Sequence, residues 1–273
     1  MKFCIAIGEK TSPTTALNLD GDFVQSMERA KKLGYDGVEI HTADPDDLDP
    51  QILLPACERL NLFIATIGTG LLYWNYGLSL VDEDSEKRQR LLCIMKKFID
   101  KASILGSKVT IGSAKGNIPK GENREPYLKL MGENLKILDE YAAEKDVFLL
   151  LEATNRFENN VINTGRDICQ MIEKNQLKHT QALMDSFHIN IEERDIRTCL
   201  KDTGKYLGHI HFGDNTRMYP GSGEFNFPKF VKAIDEYGYD GVLSLECFPM
   251  PDQITAAREA MKFFEKYFPK TEE

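Results

Sequence analysis

Glu152, Asp185, His211 and Glu246 each stand near the C-terminal end of an apolar, strand-like run: FLLLEAT, ALMDSFH, HIHFGD and LSLECF. Bare carboxylates inside hydrophobic strands are costly unless something positive compensates them. Two Glu, one Asp and one His form a mostly hard-oxygen donor set. Such a set suits one shared divalent ion, Mn2+ foremost with Mg2+ or Co2+ as alternatives, better than it suits a thiolate-selected metal. Strand parity supports the grouping. In LSLECF, Ser244, Glu246 and Phe248 share one face, and Leu243, Leu245 and Cys247 share the other. The apolar face suits a covering helix layer, so Glu246 points inward, and the same argument turns Glu152 inward opposite Leu149, Leu151 and Ala153. Phe248, on the inward face, is expected to meet substrate. His209 shares the face of His211 but lies one inward position deeper, and reads as a supporting interior histidine. His188, just past Asp185, is a further ligand or a substrate donor, with donor preferred. His41 and His179 read as strand-end or surface residues.

The elements that must position these groups recur regularly. Strand candidates begin at Phe3 (FCIAIG), Gly37 (GVEIHT), Phe63 (FIATIGTG), Lys108 (KVTIGSA), Val147 (VFLLLEAT), Thr180 (TQALMDSFH), Leu207 (LGHIHFGD) and Asp240 (DGVLSLECF). Each leads to a segment of helical periodicity. In GDFVQSMERAKKLG, for example, Phe23, Val24, Met27, Ala30 and Leu33 recur at helical spacing before Gly34, and SEKRQRLLCIMKKFIDKASILG ends on Gly106. Strand then helix, eight times over, specifies an α/β chain forming a single (β/α)8 TIM barrel across residues 1–273. No glycine-rich phosphate turn follows the first strand, which argues against an open doubly wound sheet. Barrel enzymes place their chemistry at the C-terminal strand ends, where the four ligand types fall. Tyr73, Trp74 and Tyr76, in an aromatic loop after strand three, form a wall over the mouth or ordinary packing and subunit contacts. Gly221 and Gly223 in YPGSGEF read as turn formers.

Composition narrows the setting. The 273 residues are 42% hydrophobic and 28% charged, enough for a large core in one barrel. A formal charge of -9 with no basic patch argues against nucleic acid and anionic membrane surfaces as partners. The opening MKFCIAIGEK lacks a secretory apolar core and cleavage site, and no apolar run approaches the roughly 20 residues of a spanning helix. Six scattered cysteines without CxxC spacing read as reduced packing residues, so a cytoplasmic location is expected.

The stretches EATNRFENNVINT, MDSFHINIEE, LGHIHFGDNTRMYPGSGEFNF and LSLECF resemble the strand-five to strand-eight motifs of ketose 3-epimerases of the D-tagatose and D-psicose type, within the xylose-isomerase-like TIM-barrel superfamily. In the first half, KKLGYDGVEI and IATIGTG followed by GLSL are similar in particular to the 5-keto-L-gluconate epimerase branch. The resemblance implies Glu152, Asp185, His211 and Glu246 as metal ligands, with Glu152 and Glu246 doubling as the catalytic acid/base pair. It further implies Glu158, His188 and Arg217 as substrate contacts, and a homodimer or homotetramer.

The chemistry fits that constellation. Inverting a carbon next to a ketone removes a proton from one face and returns one to the other, so two groups must flank the substrate. The expected reaction is epimerisation of a ketose or keto-sugar acid, passing through a metal-held cis-enediolate. Lys115, in IGSAKGN, either reaches into the mouth, where a cation suits a carboxylate-bearing substrate, or is an exposed lysine of a polar loop, the simpler reading. Alternatives are an aldose-ketose isomerase of the hydroxypyruvate or inosose type and a lyase acting on 3-keto glycosides. A more distant one is an endonuclease IV-like repair enzyme, which the five histidines and negative charge disfavour.

Overall fold

Alternation of apolar residues along each strand candidate builds a closed parallel barrel, seen in a computed structural model that describes residues 1–10, 12 and 14–269. The barrel strands are β1 (Lys2–Gly8), β3 (Gly37–His41), β4 (Phe63–Gly68), β5 (Lys108–Ile111), β6 (Leu149–Glu152), β7 (Thr180–Asp185), β8 (Leu207–Phe212) and β9 (Val242–Leu245). They pair in that order, and β9 closes on β1 with Phe3 opposite Leu243 and Ile5 opposite Leu245. The two-residue β2 (Leu19–Asp20) pairs with Ile7 and Gly8, extending the edge of β1 beyond the reach of β9. The eight-stranded barrel expected from the strand-helix alternation is the observed fold.

Ten α-helices are described: α1 (Phe23–Lys32), α2 (Pro50–Leu60), α3 (Leu71–Tyr76), α4 (Ser85–Leu105), α5 (Arg124–Glu144), α6 (Gly165–Asn175), α7 (Ser186–Glu192), α8 (Ile196–Thr203), α9 (Phe227–Tyr237) and α10 (Gln253–Tyr267). Short polar side chains start eight of them: Asp22, Asp49, Asp84, Asn123, Thr164, Asp195, Asn226 and Asp252 each accept a first-turn N–H. Gly106 closes α4 in the left-handed conformation, with φ 67°.

The outward residues of alternate strand positions, among them Ile5, Ile7, Val38, Ile40, Val109, Ile111, Leu149, Leu151, Leu243 and Leu245, join the helices in one apolar core. Phe212 anchors it against Phe227, Phe230 and Phe264, with ring centroids 5.8, 5.3 and 5.3 Å away. Burying this layer turns the opposite parity inward, which brings Glu39, Glu152, Asp185, His209, His211 and Glu246 toward the barrel axis.

Two local expectations are corrected. The strand from Thr180 does not run through His188: it stops at Asp185, whose Oδ1 accepts the N–H of Phe187 at 2.9 Å and starts α7. The aromatic loop after the third barrel strand is the six-residue helix α3. Among the described residues no helix is long and apolar enough to cross a membrane.

Candidate active site and metal centre

The inward parity of β6 to β9 converges on one point. Asp185 and His211 are directly paired in register, Glu152 ends β6, and Glu246 follows β9 with its N–H still bonded to Phe212 O at 3.2 Å. One ligand atom from each of the four lies within 4.8 Å of the others, and all four residues are buried. Gly112 makes room for this approach: a Cβ there would stand 2.5 Å from Glu152 Oε2.

His211 Nδ1 lies 3.3 Å from Glu246 Oε2 and 3.9 Å from Glu152 Oε1, and is a buried nitrogen with no hydrogen-bond partner. An orphaned ring nitrogen beside three converging carboxylates fits a divalent cation, and the donor set matches a hard ion. The residues present therefore form a candidate metal site. Its electrostatics show the strain of holding three acids together. Burial, then the charge of Glu246, pushes the Glu152 carboxyl up to about 8. Burial would raise Glu246 too, but His211 and Arg217 outweigh it and hold that carboxyl well below the usual range. Burial also raises Asp185, against the pull of Arg217.

Arg217 supplies the main cation. Its Nη1 donates to Asp185 Oδ2 at 2.7 Å, its Nη2 donates to Glu246 Oε2, and its guanidinium lies 4.7 Å from the Phe187 ring centroid. The residue adopts φ 61°, a left-handed conformation that the surrounding loop must enforce. Asp214 brackets that turn: its O accepts the Arg217 N–H and its N–H bonds Met218 O, both at 2.8 Å, while its carboxylate accepts the N–H groups of Asn215, Gly221, Gly223 and Phe225 at 2.8, 2.8, 2.9 and 3.1 Å. A Cβ at Gly223 would crowd the Asp214 carboxylate that holds this loop, standing 2.6 Å from its Oδ1.

His188 occupies the first turn of α7. Its Nδ1 faces the backbone N–H of Asn155 and its Nε2 faces Arg217 Nη1, each at 3.2 Å, with Nε2 lying 3.7 Å from both Glu152 Oε1 and Asp185 Oδ2. Burial, then Arg217, keeps the ring neutral by lowering its pKa well below the ordinary value. Glu158 is exposed at the rim, accepting from Asn155 Nδ2 at 2.8 Å.

These groups open on a cavity of about 720 Å³ lined by Glu152, Glu158, His188, Arg217, Glu246 and Phe248. Phe248 stands beyond β9, its N–H bonded to Arg217 O at 2.7 Å. Trp74 forms part of the opposite wall, its Nε1–H donating to Ser113 Oγ at 3.1 Å.

Lys115 is placed differently from either sequence reading. It is 0% exposed, its Nζ has no hydrogen-bond partner, and it is absent from the cavity wall. The loop is covered by its neighbours: Leu80 N–H bonds Ala114 O at 2.9 Å, and Asn159 Nδ2 donates to Gly116 O. Burial lowers the ammonium pKa to about 8, with Glu152 and Glu158 opposing the shift.

Sequence reasoning missed Glu39. It lies wholly buried on β3, with Oε2 3.0 Å from His211 Nε2 and Oε1 bonded to His209 Nε2. The parity argument would have found it, since Val38 and Ile40 in GVEIH face the helices. His41 is an inner-wall residue too, lying across Gly68 and lining the cavity.

A closed barrel carrying an acid-and-histidine ring at its C-terminal strand ends defines the class as a TIM-barrel enzyme with a candidate metal centre. The chain belongs to the xylose isomerase-like TIM barrel family, whose model matches residues 27–267. It is similar to D-psicose 3-epimerase of Ruminiclostridium cellulolyticum, 29% identical over 84% of this chain and 79% of that protein. It is also similar to 3-dehydro-D-guloside 4-epimerase of Escherichia coli, 27% identical over 82% of this chain and 87% of that protein. The solved structure of a Methylomonas D-allulose 3-epimerase in complex with D-allulose shares the fold, with TM-score 0.82 at 22% identity over 98% of this chain and 97% of that one. The isomerase class expected from the sequence agrees with these relatives, which are named epimerases.

Proposed function

We propose that the protein is a divalent-metal-dependent epimerase that inverts the carbon next to a ketone in a small sugar or sugar acid, with Glu152 and Glu246 moving the proton. The carrying observation is that these two carboxylates come from non-adjacent strands yet face one cavity beside Asp185 and His211. One glutamate takes the proton from one face of the substrate carbon, and the other returns a proton to the opposite face. The Arg217 guanidinium, with the His188 ring against it, stands where negative charge develops on the oxygen. Glu158 positions a hydroxyl at the rim, and Phe248 packs on the carbon chain. A bound ion, Mn2+ for this donor set, would polarise the ketone and orient the substrate oxygens. Six free cysteines support a reducing cytoplasmic setting, and resemblance supports a homodimer or homotetramer.

The test is incubation with Mn2+ and neutral ketoses, keto-aldonates or 3-keto glycosides in heavy water. Deuterium is expected at the inverted carbon beside the ketone. Label confined to C1 and C2 would instead mean an aldose-ketose isomerase, and release of an aglycone without an epimer would mean a lyase.

Lys115 bears on substrate class from behind the wall, where its charge favours an acidic substrate. Lys115→Met is expected to raise the KM of a keto-aldonate and spare neutral ketoses; equal effects on both would remove that role. The same variant reports on stability. Below about pH 8 the lysine is charged in both folded and unfolded chains, and its burial penalty is fully present. Between about 8 and the ordinary 10.5 the unfolded chain holds more protons, so wild-type stability climbs with pH, by an amount on the order of 3 kcal/mol. Lys115→Met should be more stable at pH 7 and lack that climb, as measured by denaturant unfolding across the range.

A further inference from the structure

We infer that Glu39 is a positioning residue that keeps a proton on His211 Nε2 and thereby presents Nδ1 toward the three carboxylates as the nitrogen left for a metal. The inference rests on the reading of Glu152, Asp185, His211 and Glu246 as a metal centre. Glu39 projects from β3, on a different arc of the barrel from the ligand-bearing strands β6 to β9, and is fully buried. Its two oxygens are used separately: Oε2 lies 3.0 Å from His211 Nε2, and Oε1 bonds His209 Nε2. A carboxylate accepts only, so each facing nitrogen carries a proton. With Nε2 committed to Glu39, Nδ1 is the ring nitrogen that faces Glu246 and Glu152 and the one left for a cation to take. Without Glu39 the ring could place its proton on Nδ1 and present a donor where a ligand is needed.

His209 gives the arrangement its rigidity. Its ring stands edge-on to His211, with centroids 5.2 Å apart and an interplanar angle of 87°, and its bond to Oε1 holds the carboxylate in place. The row His209, Glu39, His211 thus runs from the deeper barrel interior to the ring. It explains why a buried acid sits on a strand that supplies no ligand.

The experiment combines long-range 1H–15N NMR of histidine-labelled protein with Mn2+ affinity by electron paramagnetic resonance, on wild type, Glu39→Gln and His209→Gln. In wild type loaded with Mg2+, as a diamagnetic probe, His211 should carry its proton on Nε2. Glu39→Gln should weaken Mn2+ binding by roughly ten- to a hundredfold, with His209→Gln producing a smaller loss. If Glu39 merely fills the core, Glu39→Gln will change the Tm and leave Mn2+ affinity and tautomer unchanged, and the inference fails. Should Glu39→Gln not fold, the wild-type spectrum decides, because a proton on Nδ1 or ligation through Nε2 overturns the assignment. A second Mn2+ equivalent held by wild type and lost in Glu39→Gln would make Glu39 and His209 ligands, which also overturns it. Wild type that binds no Mn2+ yet shows the Nε2–H form at alkaline pH would sink the metal centre and support the role of Glu39.

Discussion

Glu152→Gln is expected to lower epimerisation by roughly a thousandfold or more while the barrel stays folded, and Glu246→Gln to do the same. An amide keeps the shape and an acceptor oxygen but cannot take up a proton at neutral pH. The two variants should nonetheless differ from each other. With Glu152 disabled, Glu246 still faces one side of the substrate carbon and can remove and return a proton there. Solvent deuterium should then enter one epimer without inversion, and the Glu246 variant should label only the other epimer. Following both epimers by NMR in heavy water separates the two faces. Exchange and inversion at full rate in either variant would end the two-base scheme.

The second large effect is expected at Arg217. Its guanidinium bonds Asp185 and Glu246, both buried, so Arg217→Met leaves two carboxylates without their cation. Breaking a buried charge group in this way costs about 3–5 kcal/mol. That loss should appear as a lower Tm in metal-free protein. Added Mn2+ should restore much of the Tm, because a cation at the ring compensates the same acids, yet turnover should stay roughly a hundredfold down for want of the oxyanion donor. Arg217→Lys should recover little turnover, since one ammonium cannot span two carboxylates as the planar fork does. A Tm unchanged by Arg217→Met would show that the pairs contribute nothing to the metal-free fold.

The sequence disclosed the barrel and the ring through one regularity, apolar parity broken by an inward acid or histidine near the strand's C-terminal end. Leu149 and Leu151 flank inward Leu150 and precede Glu152, and Leu243 and Leu245 flank inward Ser244 before Glu246. Parity reports which side a residue faces, and nothing about which residues meet across the barrel. Glu39 obeys the same rule, but its partners His209 and His211 lie 170 and 172 residues away. Lys115 was opaque for a different reason. IGSAKGN has the composition of an exposed loop, and only packing by the segments around Leu80 and Asn159 buries it. The break at Asp185 reflects competing local rules: Met184, Phe187 and Ile189 read on as a strand, whereas the aspartate is a strong helix cap that wins once its carboxylate takes the Phe187 N–H.

The Asp214 carboxylate, which gathers four backbone N–H groups of the loop ahead of α9, has a thermodynamic consequence for catalysis. An arginine on a free loop would forfeit its rotational freedom each time a substrate arrived, and every binding event would carry that loss. Here the loss is incurred once, when the chain folds, because the tethered loop holds the backbone at Arg217 and the bonds to Asp185 and Glu246 hold its guanidinium. The substrate therefore meets a dipole field already set, and the entropy of activation is spared the ordering of its strongest cation.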